Sequence, residues 1–240
     1  MATQINAEQL NFDLLHEIGA FLASADGLHE VLKRVVDFAS IMVKCDSCLI
    51  YVLEGDELIL RASKNPHPDA ADRLKLPTGQ GITGWVAEHH EPVAISEKAA
   101  RDSRFQFFHQ LPEDSCEAFL SVPLLCRRRV VGVINLQHRL PHTHKRHDIR
   151  LISAIGYLVG AEIELARLEE ANLNLAGQLQ TRKLIERAKG ILQRELGMSE
   201  ERAYLALQRQ SRQRRKPMKE IAEAIILSGD VKGASGMLAL

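Results

Sequence analysis

Long apolar runs are missing from this 240-residue sequence, and aromatic residues make up only 5% of it. A membrane-spanning helix needs roughly 18 or more consecutive apolar residues, and no segment comes close. The first residues, MATQINAEQLNFDLL, carry neither the basic nor the apolar region of a secretory signal. These absences exclude a helical membrane protein and predict a cytoplasmic one.

Motifs of the common catalytic types are also missing. The sequence contains no GxSxG, no GxxxxGK[ST] phosphate loop and no HExxH, and its acidic residues are scattered. We therefore expect no catalytic residues and no enzymatic activity.

Cysteine is scarce, with four residues at Cys45, Cys48, Cys116 and Cys126. Four cysteines in a cytosolic chain of this length do not make a disulfide framework, which predicts reduced and mostly buried thiols. Cys45-x-x-Cys48 has the spacing of a redox or metal pair but lacks a second pair, so a redox or metal sensor is kept as an alternative.

Histidine is concentrated in one short segment, at His138, His142, His144 and His147. Such a cluster is able to bind a metal, but a polar, exposed loop is the more common explanation. We predict no metal site here, and the sequence leaves any cofactor unknown.

The net charge of zero conceals two unlike halves. Residues 1–164 hold 17 Lys and Arg against 22 Asp and Glu, whereas residues 177–220 hold 12 against 5, a net charge of +7. A compact basic block is typical of a protein that binds a polyanion, because phosphate contacts dominate nucleic-acid affinity. A solvated helix face is the alternative.

Hydrophobic periodicity predicts an α+β domain in the first part of the chain. Leucine and isoleucine recur at helical spacing from Leu10 to Leu22, and a second helix follows Gly27. Short apolar segments then predict an antiparallel sheet of five or six strands, with hairpin turns at residues 54–56 and a basic, exposed turn at residues 126–129.

After Asp148 the pattern becomes helical and stays so. A heptad seam runs through it, which predicts a coiled-coil homodimer in which Asn172 fixes the register. The alternative is one long helix packed within its own chain. The predicted dimerisation residues are Leu151, Leu158, Leu165, Leu168, Asn172, Leu175 and Leu179.

Three further helical segments complete the chain. One is stopped by Gly197, a second begins at the capping residue Ser199, and a third begins at Pro217. Together they predict a small three-helix module.

The first part of the chain, from about residue 10 to 168, resembles a GAF domain. The resemblance lies in residues 76–87 (LPTGQGITGWVA), 91–95 (EPVAI), 102–105 (DSRF), 121–124 (SVPL) and 131–136 (VGVINL). It implies a sensor domain that receives a small-molecule or protein signal, for which we expect a pocket lined by Tyr51, Trp85, Phe105 and Phe119.

The last part, from about residue 173 to 230, resembles an ANTAR domain. The resemblance lies in residues 185–192 (IERAKGIL), Gly197, 199–204 (SEERAY), Leu207 and 221–222 (IA). It implies a bacterial, dimeric RNA-binding module that stabilises paired hairpin loops in nascent RNA and so promotes transcription antitermination.

Together the two resemblances predict a GAF sensor over residues 8–150, a coiled-coil linker over 151–180 and an ANTAR domain over 173–235. Arginine and lysine suit RNA phosphates, and an aromatic ring suits a splayed base. A DNA-binding helix-turn-helix regulator is the alternative. The predicted RNA contacts are Arg187, Lys189, Gly190, Arg194, Tyr204, Arg209, Arg212, Arg214 and Arg215.

Overall fold

A computed structural model describes Gly19 and residues 27–64, 71–106 and 116–237, with side chains up to residue 230. Internal contacts divide the chain into two compact units, residues 1–167 and 168–240. The first helix predicted from the sequence, between Leu10 and Leu22, lies outside the described residues.

The first unit is built on a six-stranded sheet in the order β3-β2-β1-β6-β5-β4, and every neighbouring pair is antiparallel. This confirms the predicted α+β class. The strands are β1 (Ser47–Glu54), β2 (Glu57–Ser63), β3 (Lys75–Pro77), β4 (Val93–Ile95), β5 (Ala118–Cys126) and β6 (Arg129–His138).

Both faces of this sheet are covered, which explains why its strands are apolar on both sides. On β1 alternate residues enter two different cores: Cys48, Ile50 and Val52 face one, and Leu49 and Tyr51 face the other. Helix α1 (Leu28–Val43) packs on the first core. Helix α2 (Gly81–His89) packs on the second.

The basic turn between β5 and β6 has the predicted position and exposure. Arg127 and Arg128 form a two-residue connection, and both have positive φ angles, 48° and 66°. That pair of angles is typical of a type I′ hairpin turn, whose twist matches the flanking strands.

A single helix, α3 (Arg146–Leu196), follows the sheet and runs for 51 residues. The predicted linker helix and the helix that Gly197 stops are thus one continuous helix, because no residue between them interrupts the helical backbone hydrogen bonds. At Gly197 φ is 62°, a left-handed conformation that ends the helix.

The first turns of α3 belong to the first unit. Ile152, Ile155, Val159 and Ile163 are fully buried in the core that α1 also covers. The sensor core therefore extends into α3, beyond the predicted boundary between residues 150 and 151. The reason is that α3 carries two apolar stripes: the heptad positions form one, and these four buried residues form the other, which packs on the sheet.

The second unit consists of the end of α3 with α4 (Glu200–Arg214) and α5 (Met218–Met237). The three helices enclose a small core of Ala188, Ile191, Leu207, Ile221, Ala222 and Ile226. The predicted three-helix module is confirmed. Its last helix begins next to Pro217, whose carbonyl accepts hydrogen bonds from the backbone N–H groups of Glu220 and Ile221.

Candidate nucleic-acid interface and sensor site

Helix α4 presents the densest group of cationic side chains in the second unit. It begins at Ser199, whose hydroxyl accepts the backbone N–H of Arg202 at 3.3 Å, as the predicted cap requires. Only Ala203 and Leu207 of this helix are buried. Most of the other residues of α4 are exposed, which leaves one helix face available to a partner.

The predicted arginines of this helix lie on that open surface. Arg209, Arg212, Arg214 and Arg215 are all exposed. Arg215 adopts a left-handed conformation (φ 51°) at the helix end, and the Nε of Arg214 donates to the Gln210 side chain at 3.3 Å. Their guanidinium groups raise the positive potential around α4, which favours an anionic ligand.

Tyr204 lies on the exposed part of α4. It retains 42% of its surface, whereas Ala203 beside it and Leu207 one turn later are fully buried. Tyr204 is therefore not a core residue, and an exposed aromatic ring on a helix that also carries several arginines is suited to stacking on an unpaired base.

Lys189 occupies an environment that the sequence did not reveal. It is 7% exposed, and its Nζ donates to Glu200 at 2.7 Å and lies 2.9 Å from Glu186. The hydrogen bond from Lys189 lowers the pKa of Glu200, and the two carboxylates, Glu200 first, raise the pKa of Lys189. The ammonium group therefore ties the first turn of α4 to α3, a positioning role distinct from an RNA contact.

The remaining predicted contacts lie on α3. Arg187 is exposed and pairs with Asp230 of α5 at 2.9 Å, and Arg194 is exposed at the end of the helix. A Cβ added at Gly190 would meet nothing within 4 Å. Packing among the described residues therefore does not require a glycine at position 190, and the space beside it is open as far as these residues reach.

The predicted signal-binding residues meet on one face of the sheet, under α2. Tyr51 and Phe119 are buried in the core there, and Trp85 and Phe105 pack against it half-buried. Trp85 stacks on His89 with ring centroids 4.1 Å apart. The four aromatic residues thus belong to one cluster, although two of them are ordinary core residues.

A chain of buried hydrogen bonds fastens α2 to the sheet. Ser121 donates to the Asn135 side-chain oxygen at 2.7 Å, and the Asn135 amide donates to the Thr83 hydroxyl at 2.8 Å. The sequence signal was an asparagine within the apolar strand β6. A buried amide of this kind holds α2 at a fixed height over the sheet, because breaking either bond leaves a polar group unsatisfied.

An ion pair lies beside the same aromatic cluster. Arg104 contacts Asp102 at 2.8 Å, and its guanidinium lies 4.7 Å from the Trp85 ring centroid. The hydrogen bond from Arg104 lowers the pKa of Asp102, so this carboxylate stays ionised at neutral pH. The face of the sheet under α2, which we call the sensor face, therefore offers both an aromatic surface at Trp85 and fixed charges at Asp102 and Arg104.

The predicted dimerisation residues remain largely uncovered within one chain. Leu165 is 50% exposed, Leu168 55%, Leu175 62% and Leu179 55%, and Asn172 is also exposed. Leu158 retains 37%, and Leu151, near the start of α3, packs against the first core. At the start of α3 the heptad residues are therefore partly covered by the first core, and from Leu165 onward the leucines of the seam are at least half exposed.

The histidine segment differs from its prediction as an exposed loop. His138 and His144 are buried, and His142 is half-buried. The reason is topological: His138 ends β6 in the centre of the sheet, and the loop folds back over it before α3 begins. His147 alone of the four is exposed, on the first turn of α3.

None of the four cysteines forms a disulfide bond. Cys45, Cys48 and Cys116 are buried, and Cys126 is half-buried. A hydrogen bond joins the thiols of Cys45 and Cys48, and it lowers the pKa of Cys45 and raises that of Cys48. The pair lies in the core under α1, away from the sensor face.

Among the described residues, no helix is both long and apolar enough to cross a lipid bilayer.

Fold and site together define a two-part protein in which an α+β domain precedes a three-helix module with an exposed, arginine-rich helix. Comparison with protein families gives the same division. Residues 27–163 match the GAF domain, and residues 173–226 match the ANTAR domain. The chain therefore belongs to the GAF family, and an ANTAR domain follows its GAF domain.

Two curated relatives resemble different parts of the chain. The Nif-specific regulatory protein of Herbaspirillum seropedicae is 24% identical over 210 residues, which are 80% of this chain and 38% of the relative. The transcriptional regulatory protein PdtaR of Mycobacterium tuberculosis is 43% identical over 76 residues, 32% of this chain and 37% of the relative. The chain thus spans less than two fifths of the length of either relative.

Solved structures support the GAF fold of the first unit. The GAF domain of an Acinetobacter phosphoenolpyruvate-protein phosphotransferase is 25% identical with a TM-score of 0.61, covering 68% of this chain and 98% of that one. The GAF domain of the corresponding Coxiella burnetii protein is 23% identical with a TM-score of 0.63, covering 67% and 96%. The second likeness concerns the fold alone.

Proposed function

We propose that this chain is a signal-responsive transcription antitermination regulator rather than an enzyme. Its ANTAR domain binds hairpin loops of nascent RNA, and its GAF domain controls that binding. The observation that carries the proposal is the exposed surface of α4, which presents Tyr204 together with Arg209, Arg212 and Arg214 while Ala203 and Leu207 pack into the core.

The chemistry of α4 suits RNA loops better than duplex DNA. A loop offers unstacked bases, and stacking one on an aromatic ring contributes about 1–3 kcal/mol. The exposed guanidinium groups contribute sequence-independent phosphate contacts. Tyr204 would read the base while Arg209 and Arg212 neutralise the phosphates beside it.

The two-loop target requires two copies of the module. The exposed leucines from Leu165 to Leu179 supply the self-association surface, since seven-residue spacing places them on one stripe of α3. Fully burying one leucine contributes roughly 1.5–3 kcal/mol. A few such pairs are therefore enough to hold a homodimer in which each chain contributes one RNA-binding module.

Signal transfer from the GAF domain would pass along α3. Its first turns are part of the sensor core, and its last turns are part of the module core. A ligand at the sensor face alters RNA binding only if it favours one arrangement of the paired helices over another. The signal itself would be a small molecule or a protein that meets the aromatic cluster at Trp85.

RNA binding is tested with the purified full chain against three probes of equal length: a two-hairpin RNA, a single-hairpin RNA and duplex DNA, each at low and moderate salt. We expect preference for the two-hairpin RNA that persists at the higher salt. Equal, salt-sensitive binding to all three probes would refute the proposal, and preference for the duplex would favour a DNA-binding regulator.

The role of Tyr204 is tested by Tyr204→Ala with Tyr157→Ala as the matched control. Tyr157 is also exposed, at 56%, but belongs to the first unit. Loss of one stacking contact weakens binding by about 5- to 150-fold per module. We expect this loss in Tyr204→Ala and none in Tyr157→Ala, with both variants melting like the wild type.

A further inference from the structure

Three histidines converge at the point where the sheet gives way to α3. The ring centroids of His138 and His142 are 4.0 Å apart, those of His142 and His144 are 4.8 Å apart, and those of His138 and His144 are 5.1 Å apart. One ring nitrogen from each residue lies within 4.8 Å of the others. Three imidazoles this close form a potential set of metal ligands.

The buried nitrogens of this cluster lack partners among the described residues. The Nε2 of His138 and both ring nitrogens of His144 are buried and make no hydrogen bond there. A neutral imidazole carries one N–H donor and one acceptor, so burying His144 in this way leaves both unsatisfied. Buried polar groups in folded proteins are normally satisfied, and a bound metal ion supplies the missing partner for an acceptor nitrogen.

The protonation state suits a metal ligand. Burial lowers the pKa of His138 and brings that of His144 to about 4, so both rings are neutral near pH 7. Metal ions bind the neutral form of imidazole. Two carboxylates act in the opposite direction, Asp46 on His138 and Asp148 on His144, and they would partly balance the charge of a bound cation.

We propose that His138, His142 and His144 bind a divalent transition metal ion of the zinc type. Three neutral nitrogen ligands favour Zn²⁺ and its neighbours in the first transition row over Mg²⁺ or Ca²⁺, which prefer oxygen. A water molecule would complete a four-coordinate site. The site is independent of the proposed RNA binding and rests on different residues.

Metal binding requires a small rearrangement of the rings. A zinc–nitrogen bond is about 2.0–2.1 Å, so ligand nitrogens in a tetrahedral site lie roughly 3.4 Å apart. The cluster must therefore close from the observed limit of 4.8 Å. His138 and His142 are nearly parallel, at 10°, so one of these rings must also tilt to direct its lone pair at the ion. His142, half-buried on the loop, has the room to do so.

The position of the site gives it a structural consequence. His138 ends β6, His142 and His144 lie on the following loop, and α3 begins two residues later at Arg146. The loop is already fixed next to β4, because the backbone N–H of His142 donates to the carbonyl of Ser96, the residue that follows this strand, at 2.9 Å. A bound ion would fasten the start of α3 to the end of β6.

The proposal is tested by stripping the purified full chain with a chelator and then adding Zn²⁺ or Co²⁺. We expect one ion per chain to survive dialysis, and a visible Co²⁺ spectrum of low coordination number without the thiolate-to-cobalt band. At a hundredfold excess of Zn²⁺ over its dissociation constant, the melting temperature of the first unit should rise by about 5 °C or more.

The informative variant is His144→Phe, because it keeps a buried ring of similar size while removing a ligand. His142→Ala removes the half-buried ligand together with its ring contacts to His138 and His144, and the exposed His147→Ala is the matched control. Losing a ligand should weaken metal binding by more than the 10- to 100-fold typical of an outer-shell partner, and His147→Ala should bind like the wild type.

Three results would overturn the proposal. The first is absence of a retained ion in the wild type, and the second is equal retention in the wild type, His144→Phe and His142→Ala. The third is a cobalt–thiolate band that disappears in Cys45→Ser or Cys48→Ala, which would assign the metal to the cysteines. Any of these results would return the three histidines to a packing role.

Discussion

The contact between α3 and β5 depends on Gly160, and replacing this glycine tests how the sensor is joined to the output helix. A Cβ added at Gly160 would lie 2.5 Å from the Leu125 carbonyl oxygen, 2.7 Å from its carbonyl carbon and 2.9 Å from its nitrogen. The shortest of these is about 0.9 Å closer than an ordinary van der Waals contact. All three atoms are backbone atoms, which cannot rotate away as a side chain can.

The expected effect of Gly160→Ala is the difference between two opposing contributions. Overpacking costs typically 1–3 kcal/mol, and three close backbone contacts put this site at about 3. Removing a glycine from a helix interior stabilises by about 1 kcal/mol. The net loss of about 2 kcal/mol should lower the melting temperature of the first unit by roughly 4–8 °C.

Thermal unfolding of the full chain, followed by circular dichroism, measures this change. Gly177→Ala is the control, because a Cβ there meets no atom of the described part of the chain within 4 Å and only the helix-forming contribution of about 1 kcal/mol remains. A Gly160→Ala chain that melts at or above the wild-type temperature would refute the packing of α3 against β5.

Three further predictions concern the helices. Leu168→Lys combined with Leu175→Lys should convert the dimer to a monomer, as measured by sedimentation equilibrium. Leu173 is 75% exposed but lies outside the heptad seam, so Leu173→Lys should leave the dimer intact. A double variant that stays dimeric would rule out the seam as the dimer interface. Lys189→Met should destabilise the second unit, because Glu186 and Glu200 lose their shared partner. The pKa of Glu200 is lowered on folding, so its contribution is complete above its ordinary pKa of 4.5 and is lost as the pH falls through the lower folded value. Unfolding of Glu200→Gln between about pH 6 and pH 3 should therefore change less with acid than that of the wild type, and equal pH dependence would contradict the ion pair.

The stability of Lys189 variants illustrates a limit of sequence reasoning. From the sequence, Lys189 is one cation in a basic block, and its removal is expected to weaken RNA binding while leaving the fold intact. In the fold it is 7% exposed and paired with two carboxylates, one of them eleven residues away on the next helix. Helical spacing predicts the partner at Glu186, but only the packing of α4 against α3 brings Glu200 to it.

The sequence by itself determined the two-part organisation. Alternating apolar segments with hairpin turns specified an antiparallel sheet, Gly197 and Ser199 specified a helix end and a helix start, and the two sets of motifs identified the GAF and ANTAR domains. These features are local, since each depends on residues close together in the chain.

Tertiary structure alone decided which of the two apolar stripes of α3 faces the sheet, and that His138, His142 and His144 meet. Periodicity reports that a face is apolar without naming what covers it, so Ile155 and Leu168 look alike in sequence although one is fully buried and the other 55% exposed. Likewise, four histidines in ten residues resemble a polar loop until the end of β6 and the folding-back of that loop bury two of them. Burial and long-range pairing depend on how elements pack, and the chain does not encode those contacts in any local pattern.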